Sequence, residues 1–182
     1  MNALCVFCGS SPGRRPVFGE AATALGRALA KRNIGLVYGG ASVGLMGRVA
    51  DAVLGAGGRA TGVITEALAG HEIAHATLSE LEVVRTMHER KARMAELADG
   101  FLMLPGGFGT YEEFMESVTW AQLGIHDKPC GILNVEGFFD GLLAFLDHAV
   151  TMGFIRGAQV RGITVREDPM ALLDAMRMAP VH

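Results

Sequence analysis

The chain has 182 residues, half of them hydrophobic, and a formal net charge of −3 at neutral pH with an isoelectric point near 6.1. This length predicts a single domain spanning residues 1–182, with a sizeable buried core. The slightly acidic balance excludes a general electrostatic attraction to nucleic acid or to anionic membranes, so any phosphate recognition must be local.

Short apolar runs alternate with segments of helical periodicity along the chain. The runs predict strands at residues 3–7, 34–38, 59–64, 81–84, 101–104, 130–135 and 162–166. The periodic segments predict helices at residues 16–31, 44–54, 86–98, 110–123 and 138–152, and a terminal helix opened by Pro169. We expect residues 65–80 to form a long irregular connection, and such connections are usually functional.

The predicted strands are continuously apolar rather than alternating. This pattern is typical of strands that helices cover on both faces, as in a parallel sheet. Strands that alternate with helices through right-handed crossovers build a doubly wound sandwich. The sequence therefore predicts an α/β protein, a Rossmann-like doubly wound parallel sheet with helices on both faces.

The three cysteines are Cys5, Cys8 and Cys130, an odd number that argues against a disulfide scaffold. Because Cys5 and Cys8 lie in an apolar strand-like run, we interpret them as buried structural thiols. The chain begins without the basic and long apolar stretches of a secretory signal. No window approaches the roughly 18 consecutive apolar residues of a membrane helix. We therefore expect a cytoplasmic protein with no membrane partner.

Residues 71–75 read H-E-I-A-H, which formally matches the zinc-hydrolase motif H-E-x-x-H. In zinc hydrolases this motif lies within a long amphipathic helix. Here it falls in the irregular connection, beside Gly70. We therefore expect no metal.

Unusual residues follow four of the predicted strands where each strand stops. In a parallel sheet all carboxyl ends lie at one edge, and ligands bind there. We therefore expect one ligand site built from segments spread over about 100 residues of sequence. Its members are Gly9 and Ser10 after the first strand, Gly39 and Gly40 after the second, Arg90 and Lys91 after the fourth, and residues 106–110 after the fifth.

The usual nucleotide motifs do not fit this edge. Residues 39–44 have the glycine spacing of a P-loop, but Leu45 stands where the lysine is needed. The missing lysine disfavours ATP-driven phosphoryl transfer. The first strand is not followed by G-x-G-x-x-G, which disfavours binding of NAD or FAD. The loop P-G-G-F-G-T at residues 105–110 still suits an anion, because glycines let backbone N–H groups approach it and the next helix points its positive end there.

The charged residues beside this loop can be interpreted either as structural or as functional groups. Thr110 and Glu113 form T-x-x-E, which is either a helix capping box or the setting of a catalytic carboxylate. Arg90 and Lys91 lie near the start of a helix, where cations oppose the helix dipole. They are therefore either a solvated basic face or ligand-binding groups.

Four motifs together resemble the Lonely Guy family of cytokinin riboside 5′-monophosphate phosphoribohydrolases, often misnamed lysine decarboxylases. They are C-V-F-C-G-S-S at 5–11, Y-G-G-A-S-V-G-L-M-G at 38–47, M-H-E-R-K-A-R-M at 87–94 and P-G-G-F-G-T-Y-E-E at 105–113. The segment T-W-A-Q-L-G-I-H-D-K-P at 119–129 also matches. The chain offers no lysine in a recognisable pyridoxal setting, so decarboxylation is not supported.

The resemblance implies hydrolysis of the N-glycosidic bond of cytokinin nucleotides or AMP, without cofactor or metal. It implies that Arg90 and Glu113 are catalytic, with the motif spacing selecting Glu113 over Glu112. The substrate contacts that it implies are Glu72, Arg90, Lys91, Gly106, Gly107, Phe108, Gly109, Thr110, Tyr111, Glu112 and Thr119.

The resemblance also implies a homodimer or larger assembly. The apolar composition favours this, and the candidate interface residues are Met87, Met94, Phe114, Met115, Val118 and Trp120. The alternative function is a nucleotide-binding sensor or carrier without turnover. The sequence does not distinguish cytokinin nucleotides from AMP.

Overall fold

Seven parallel strands form one sheet in the computed structural model, which describes residues 1–69 and 74–178. The sheet order is β4-β3-β2-β1-β5-β6-β7. The strands are β1 (Ala3–Phe7), β2 (Gly35–Tyr38), β3 (Ala60–Thr65), β4 (Glu80–Val84), β5 (Phe101–Met103), β6 (Cys130–Leu133) and β7 (Ile163–Arg166).

Helices connect the strands. They are α1 (Pro16–Lys31), α2 (Gly44–Gly55), α3 (Glu66–Ala69), α4 (Met87–Leu97), α5 (Phe108–Gln122), α6 (Asp140–Thr151), α7 (Gly157–Arg161) and α8 (Pro169–Met178), with a single 3₁₀ turn at Val135–Gly137. In the part of the chain that the structure covers, no helix combines the length and apolarity needed to cross a bilayer.

Successive side chains of the strands point to opposite faces of the sheet, and each face is covered by its own set of helices. Leu4 and Val6 of β1 pack in the cluster that α1, α2 and α8 complete. Cys5 and Phe7 pack on the other face, in the cluster that α4, α5 and α6 complete. The predicted doubly wound α/β fold is therefore confirmed.

The direction of winding reverses between β1 and β5. From β1 the chain runs outward through β2, β3 and β4, and it then returns to place β5 on the other side of β1. Such a reversal opens a crevice at the carboxyl ends of the two central strands. The loops after β1 and β5 lie on either side of this crevice.

Four details differ from the sequence-based expectation. The connection after β3 contains the short helix α3, and α7 precedes β7. Strand β4 is at the sheet edge, so Leu81 and Val83 are 38% and 54% exposed rather than buried. Met94 and Phe114 are 1% and 0% exposed within the core, which removes them as interface candidates.

Candidate active site

Backbone hydrogen bonds join the loops that follow β1, β2 and β5. Gly9 N–H donates to the Pro105 carbonyl at 3.0 Å, and Leu45 N–H donates to the Gly9 carbonyl at 2.9 Å. The loop after β5 and the start of α2 therefore both contact the loop after β1. This confirms that the glycine turns predicted to converge do meet at the carboxyl edge of the sheet.

Gly106 is a glycine because its surroundings leave no room for a side chain. A Cβ on Gly106 would overlap the side chain of Thr110 and would lie 2.9 Å from Gly9 N. A Cβ on Gly9 would in turn lie 3.3 Å from Gly106 Cα. The two glycines let the loops of the two central strands touch, so their first role is structural.

Gly107 and Gly109 have no such constraint. Both are exposed, and a Cβ on either would meet nothing within 4 Å in the part of the chain that is described. Gly107 has φ −108, a value open to any residue. Because local packing does not require glycine at either position, the open space above them is available to a ligand that approaches the backbone closely.

The N-terminus of α5 is open to such a ligand. The helix begins at Phe108, with Gly107 as N-cap and no side-chain cap. Thr110 is therefore inside the first turn, where its side chain is buried against Gly106. The capping-box interpretation of Thr110 and Glu113 is wrong. The first N–H groups of a helix lack partners within the helix, so those of residues 108–110 point toward the crevice together with the positive end of the dipole.

The side chains of Phe108 and Tyr111, near the start of α5, point to solvent and to the core respectively. Phe108 is 94% exposed, at the first position of α5. Tyr111 is half-buried and packs edge-to-face on Phe139, with ring centroids 6.4 Å apart. Phe108 is thus free to meet a ligand, whereas Tyr111 faces the core.

Arg90 is buried, with 6% exposure, although it carries a permanent charge. Two backbone carbonyls hold its guanidinium: Nε donates to Val63 at 2.9 Å, and Nη2 donates to Gly39 at 3.3 Å. A Cβ on Gly39 would clash with the same guanidinium. Gly39 therefore lies beneath Arg90, and its glycine identity makes room for the charge.

Glu113 faces the remaining side of this guanidinium. Arg90 Nη1 lies 3.5 Å from Glu113 Oε1, and the two side chains are 8% and 13% exposed. The pair thus joins the first turn of α4 to the second turn of α5. A mostly buried carboxylate beside a fixed cation is an arrangement suited to stabilising charge that develops on a bound ligand.

Glu112 points to a different cation. Lys91 Nζ donates to Glu112 at 2.5 Å and to Glu116 at 3.0 Å. Burial disfavours the Lys91 ammonium, but these two hydrogen bonds outweigh it and raise the pKa of Lys91. Lys91 and Glu112 therefore pair with each other, and their contact with substrate stays a prediction.

A capping box, one of the two alternatives considered for α5, is found instead on α4. Thr86 Oγ1 accepts from Glu89 N–H at 3.1 Å, and the Glu89 carboxylate accepts from Thr86 N–H at 3.3 Å. The residues T-M-H-E at 86–89 carry this signal in the sequence. The box fixes the start of α4, one turn before Arg90.

Cys5 in β1 and Cys8, directly after β1, are unreactive thiols. Burial raises the pKa of both Cys5 and Cys8, and the negative charge of Glu113 raises both further. Both therefore stay protonated thiols, as expected of structural cysteines. Among the described residues no group of three or more His, Cys, Asp or Glu is placed to hold a metal ion.

The remaining predicted site residues fall into three groups. Ser10 is exposed at the crevice, whereas Gly40 is buried in its turn at φ +81. Thr119 is on α5, 11 residues beyond the start of the helix and so roughly 16 Å from it, and its hydroxyl donates to the Met115 carbonyl. Glu72, like His71, lies outside the described residues.

Two cavities of the described structure lie away from this site. A cavity of about 470 Å³ lies between α1 and α2, and one of about 380 Å³ lies at the amino edge of the sheet. Neither is lined by Arg90, Glu113 or the glycine loops. The site is identified by its charges and open N–H groups.

Comparisons with known proteins agree with the motifs. Residues 46–176 match the family model described as possible lysine decarboxylase. The rice (Oryza sativa subsp. japonica) protein named probable cytokinin riboside 5′-monophosphate phosphoribohydrolase LOGL1 is 55% identical over 162 residues, 89% of this chain and 72% of its own length. Cytokinin riboside 5′-monophosphate phosphoribohydrolase LOG2 of Arabidopsis thaliana is 49% identical over 180 residues, 98% of this chain and 84% of its own.

A solved structure shares the fold at much lower sequence identity. The molybdenum cofactor carrier protein of Chlamydomonas reinhardtii superposes with a TM-score of 0.72 at 20% identity, covering 97% of this chain and 96% of its own. At that identity the likeness shows the fold alone.

Two glycine substitutions separate the structural role from the ligand role. We expect Gly106→Ala to lower the free energy of unfolding by about 1–3 kcal/mol, because the added methyl group enters a filled space. We expect Gly107→Ala to keep the wild-type melting temperature but to weaken phosphate binding by about tenfold, since an added methyl group in a close-fitting site is worth roughly 1–3 kcal/mol. Thermal unfolding and titration calorimetry with inorganic phosphate measure both; unchanged phosphate affinity in Gly107→Ala would contradict the open anion site.

Proposed function

The chain belongs to the Lonely Guy family of cytokinin riboside 5′-monophosphate phosphoribohydrolases, and we propose that it hydrolyses the N-glycosidic bond of N6-substituted adenosine 5′-monophosphates and of AMP. The products are the free base and ribose 5-phosphate. The observation that carries the proposal is the mostly buried Arg90–Glu113 pair, 3.5 Å apart, beside the uncapped N-terminus of α5.

The two halves of this site suit the two ends of the substrate. The N–H groups of residues 108–110 and the positive end of α5 bind the 5′-phosphate over Gly107 and Gly109. Glu113 is one turn further along α5, on the side that faces Arg90. This separation places a carboxylate at the ribose while the phosphate occupies the helix end.

Glu113 serves the reacting carbon. Cleavage of the bond between C1′ and the base nitrogen leaves positive charge on the ribose, as in other glycoside hydrolyses. The ionised carboxylate stabilises that charge and takes a proton from the attacking water. The hydroxide oxygen bonds to C1′, and the electron pair of the broken bond leaves with the base. The base takes a proton from solvent water and Glu113 returns its proton to solvent, so that one water is consumed and the carboxylate is ionised again.

Arg90 is an electrostatic group rather than an acid. A guanidinium does not give up its proton in a protein, so it cannot protonate the leaving base. Its contacts with the carbonyls of Val63 and Gly39 fix it in place. From that position it holds Glu113 and offers N–H groups to ribose or phosphate oxygens.

A carrier without turnover is the competing function, and the fold alone permits it, since a molybdenum cofactor carrier protein shares it. Binding an anionic nucleotide has no need of a mostly buried carboxylate at the sugar, because that carboxylate would repel the ligand. The Arg90–Glu113 pair therefore favours hydrolysis.

We further propose that two copies associate along α5. The family resemblance assigns Thr119 to the substrate, yet within one chain Thr119 is roughly 16 Å from the start of α5. Two antiparallel α5 helices would bring the Thr119 of one copy near the crevice of the other. Leu123, at the end of this helix, is 66% exposed and available for such a contact.

We also propose a cytoplasmic location, which the three buried free thiols fit.

Release of free base from different substrates tests the proposed activity. We expect AMP and isopentenyladenosine monophosphate to yield adenine and isopentenyladenine, whereas adenosine and isopentenyladenosine are hydrolysed far more slowly because they lack the phosphate. Chromatography of the reaction mixtures measures kcat/KM for each. Tight binding of the monophosphates with no base released would establish the carrier instead, and equal kcat/KM for nucleoside and monophosphate would contradict the phosphate site.

Replacing Glu113 tests the catalytic carboxylate. We expect Glu113→Gln to fold normally and to lose about 10²–10³ in kcat, because the amide keeps the shape but not the charge. Glu116→Gln is the matched control, since Glu116 is on the same helix and pairs with Lys91 instead. Near wild-type turnover in Glu113→Gln would remove the carboxylate from the mechanism.

Light scattering tests the assembly. We expect a mass near twice 19.2 kDa, falling to that of one chain in Leu123→Glu, where a charge enters the proposed contact. Phe154→Glu is the control, because Phe154 is 88% exposed but lies after α6. A wild-type mass near 19.2 kDa at micromolar concentrations would refute the dimer.

A further inference from the structure

A second set of contacts, separate from Arg90, holds the Gly39-Gly40 turn. His75 N–H donates to the Gly40 carbonyl at 3.0 Å. Next to it, Ala74 and Ala41 form an isolated antiparallel bridge. The segment at residues 74–75 is therefore bonded to the turn whose Gly39 carbonyl binds Arg90.

The side chain of His75 is itself fixed. It is buried, and its Nε2 lies 3.0 Å from Asp51 Oδ1 on α2. Its other nitrogen, Nδ1, lies 3.4 Å from Thr77 N. Because an ionised carboxylate only accepts, the ring proton is on Nε2, and Nδ1 accepts from the Thr77 N–H. Asp51 thereby fixes both the tautomer and the orientation of the ring.

We propose that the Asp51–His75 hydrogen bond positions Arg90 through the Gly39-Gly40 turn, which makes Asp51 and His75 positioning residues for hydrolysis. Asp51 holds the His75 ring, His75 holds the Gly40 carbonyl through its backbone, and the adjacent Gly39 carbonyl accepts from Arg90. This inference rests on the proposed function for its kinetic consequence.

The turn needs such support because of its own composition. Two successive glycines are conformationally permissive, and Gly40 is in the left-handed region at φ +81. The Val63 carbonyl binds Arg90 only at Nε. The Gly39 carbonyl is therefore the second point that fixes the guanidinium plane, and a shift of the turn would rotate Nη1 away from Glu113.

Asp51 is the residue to substitute, because its side chain is 71% exposed and its removal leaves no cavity in the core. We expect Asp51→Ala to lower kcat by about 3- to 10-fold with little change in KM, since small displacements of catalytic groups are costly. Asp51→Asn keeps an acceptor oxygen for His75 and should restore most of the activity. If Asp51 had a purely structural role, Asp51→Ala and Asp51→Asn variants with the same melting temperature would have the same kcat.

A double-mutant cycle with Arg90→Lys tests whether the effect passes through Arg90. Lysine lacks the second nitrogen that binds Gly39, so Asp51→Ala should cause no further loss in the Arg90→Lys background. An equal fractional loss in both backgrounds would overturn the proposal.

The chain offers a matched control at the opposite edge of the sheet. Asp174 is 63% exposed and pairs at 2.6 Å with Arg32, which is 12% exposed. Like Asp51, it is an exposed carboxylate whose partner side chain is mostly covered. Arg32 follows the end of α1, at the amino edge of the sheet. Asp174→Ala should leave kcat within about 1.5-fold of wild type, as expected for a distant independent site.

A readout without turnover keeps this inference separate from the proposed function. The Arg90 Nε–H, which donates to the Val63 carbonyl, is observable by ¹H–¹⁵N NMR of the intact protein. Asp51→Ala and His75→Ala should shift or broaden this signal, and Asp174→Ala should not. If the wild type releases no base, the proposed function fails and this signal alone decides the positioning role. An Arg90 signal that is unchanged in Asp51→Ala overturns the inference even if hydrolysis is confirmed.

Discussion

The burial of the Arg90 guanidinium is the constraint on which the rest of the site depends. A buried cation is tolerated only when hydrogen bonds and an opposite charge compensate it, and removing one partner of a buried pair costs about 3–5 kcal/mol. Here the carbonyl of Val63 in β3, the carbonyl of Gly39 in the turn after β2 and one carboxylate of α5 provide that compensation. The charge therefore ties together segments that are far apart in the sequence.

This requirement explains features that would otherwise look unrelated. Gly39 lacks a side chain because Arg90 occupies that space, and the turn that it forms with Gly40 accepts a hydrogen bond from the His75 N–H. The capping box of Thr86 and Glu89 fixes the start of α4 one turn before Arg90. Across the crevice, Gly106 lets the loop before α5 touch Gly9, and α5 then carries Glu113.

The fold and the site carry different information about function. The same doubly wound sheet occurs in a molybdenum cofactor carrier protein, so the architecture provides an edge for a ligand without specifying a reaction. The chemistry depends on a few side chains at that edge. A carboxylate held beside a fixed cation is of use to a reaction that develops positive charge, and that use separates a hydrolase from a carrier.

The sequence by itself determined the seven strands, the longer helices, the double winding and the edge at which the candidate site lies, but not the short helices α3 and α7. These follow from local patterns, since apolar runs and helical periods are read within a few residues and parallel topology then places every carboxyl end together. The sequence also singled out Arg90, Lys91 and the glycine loop, but it left Glu113 open between a cap and a catalyst. The structure showed that α5 begins at Phe108, with Gly107 rather than Thr110 as its N-cap. Only the tertiary structure decided that Glu113 faces Arg90 while Glu112 faces Lys91. It also showed the bond between His75 and Asp51, which no motif indicates. The physical reason is that the pairings of Arg90 with Glu113, of Lys91 with Glu112 and of His75 with Asp51 join residues 21 to 24 positions apart. Whether they form depends on how helices and strands pack rather than on any local pattern.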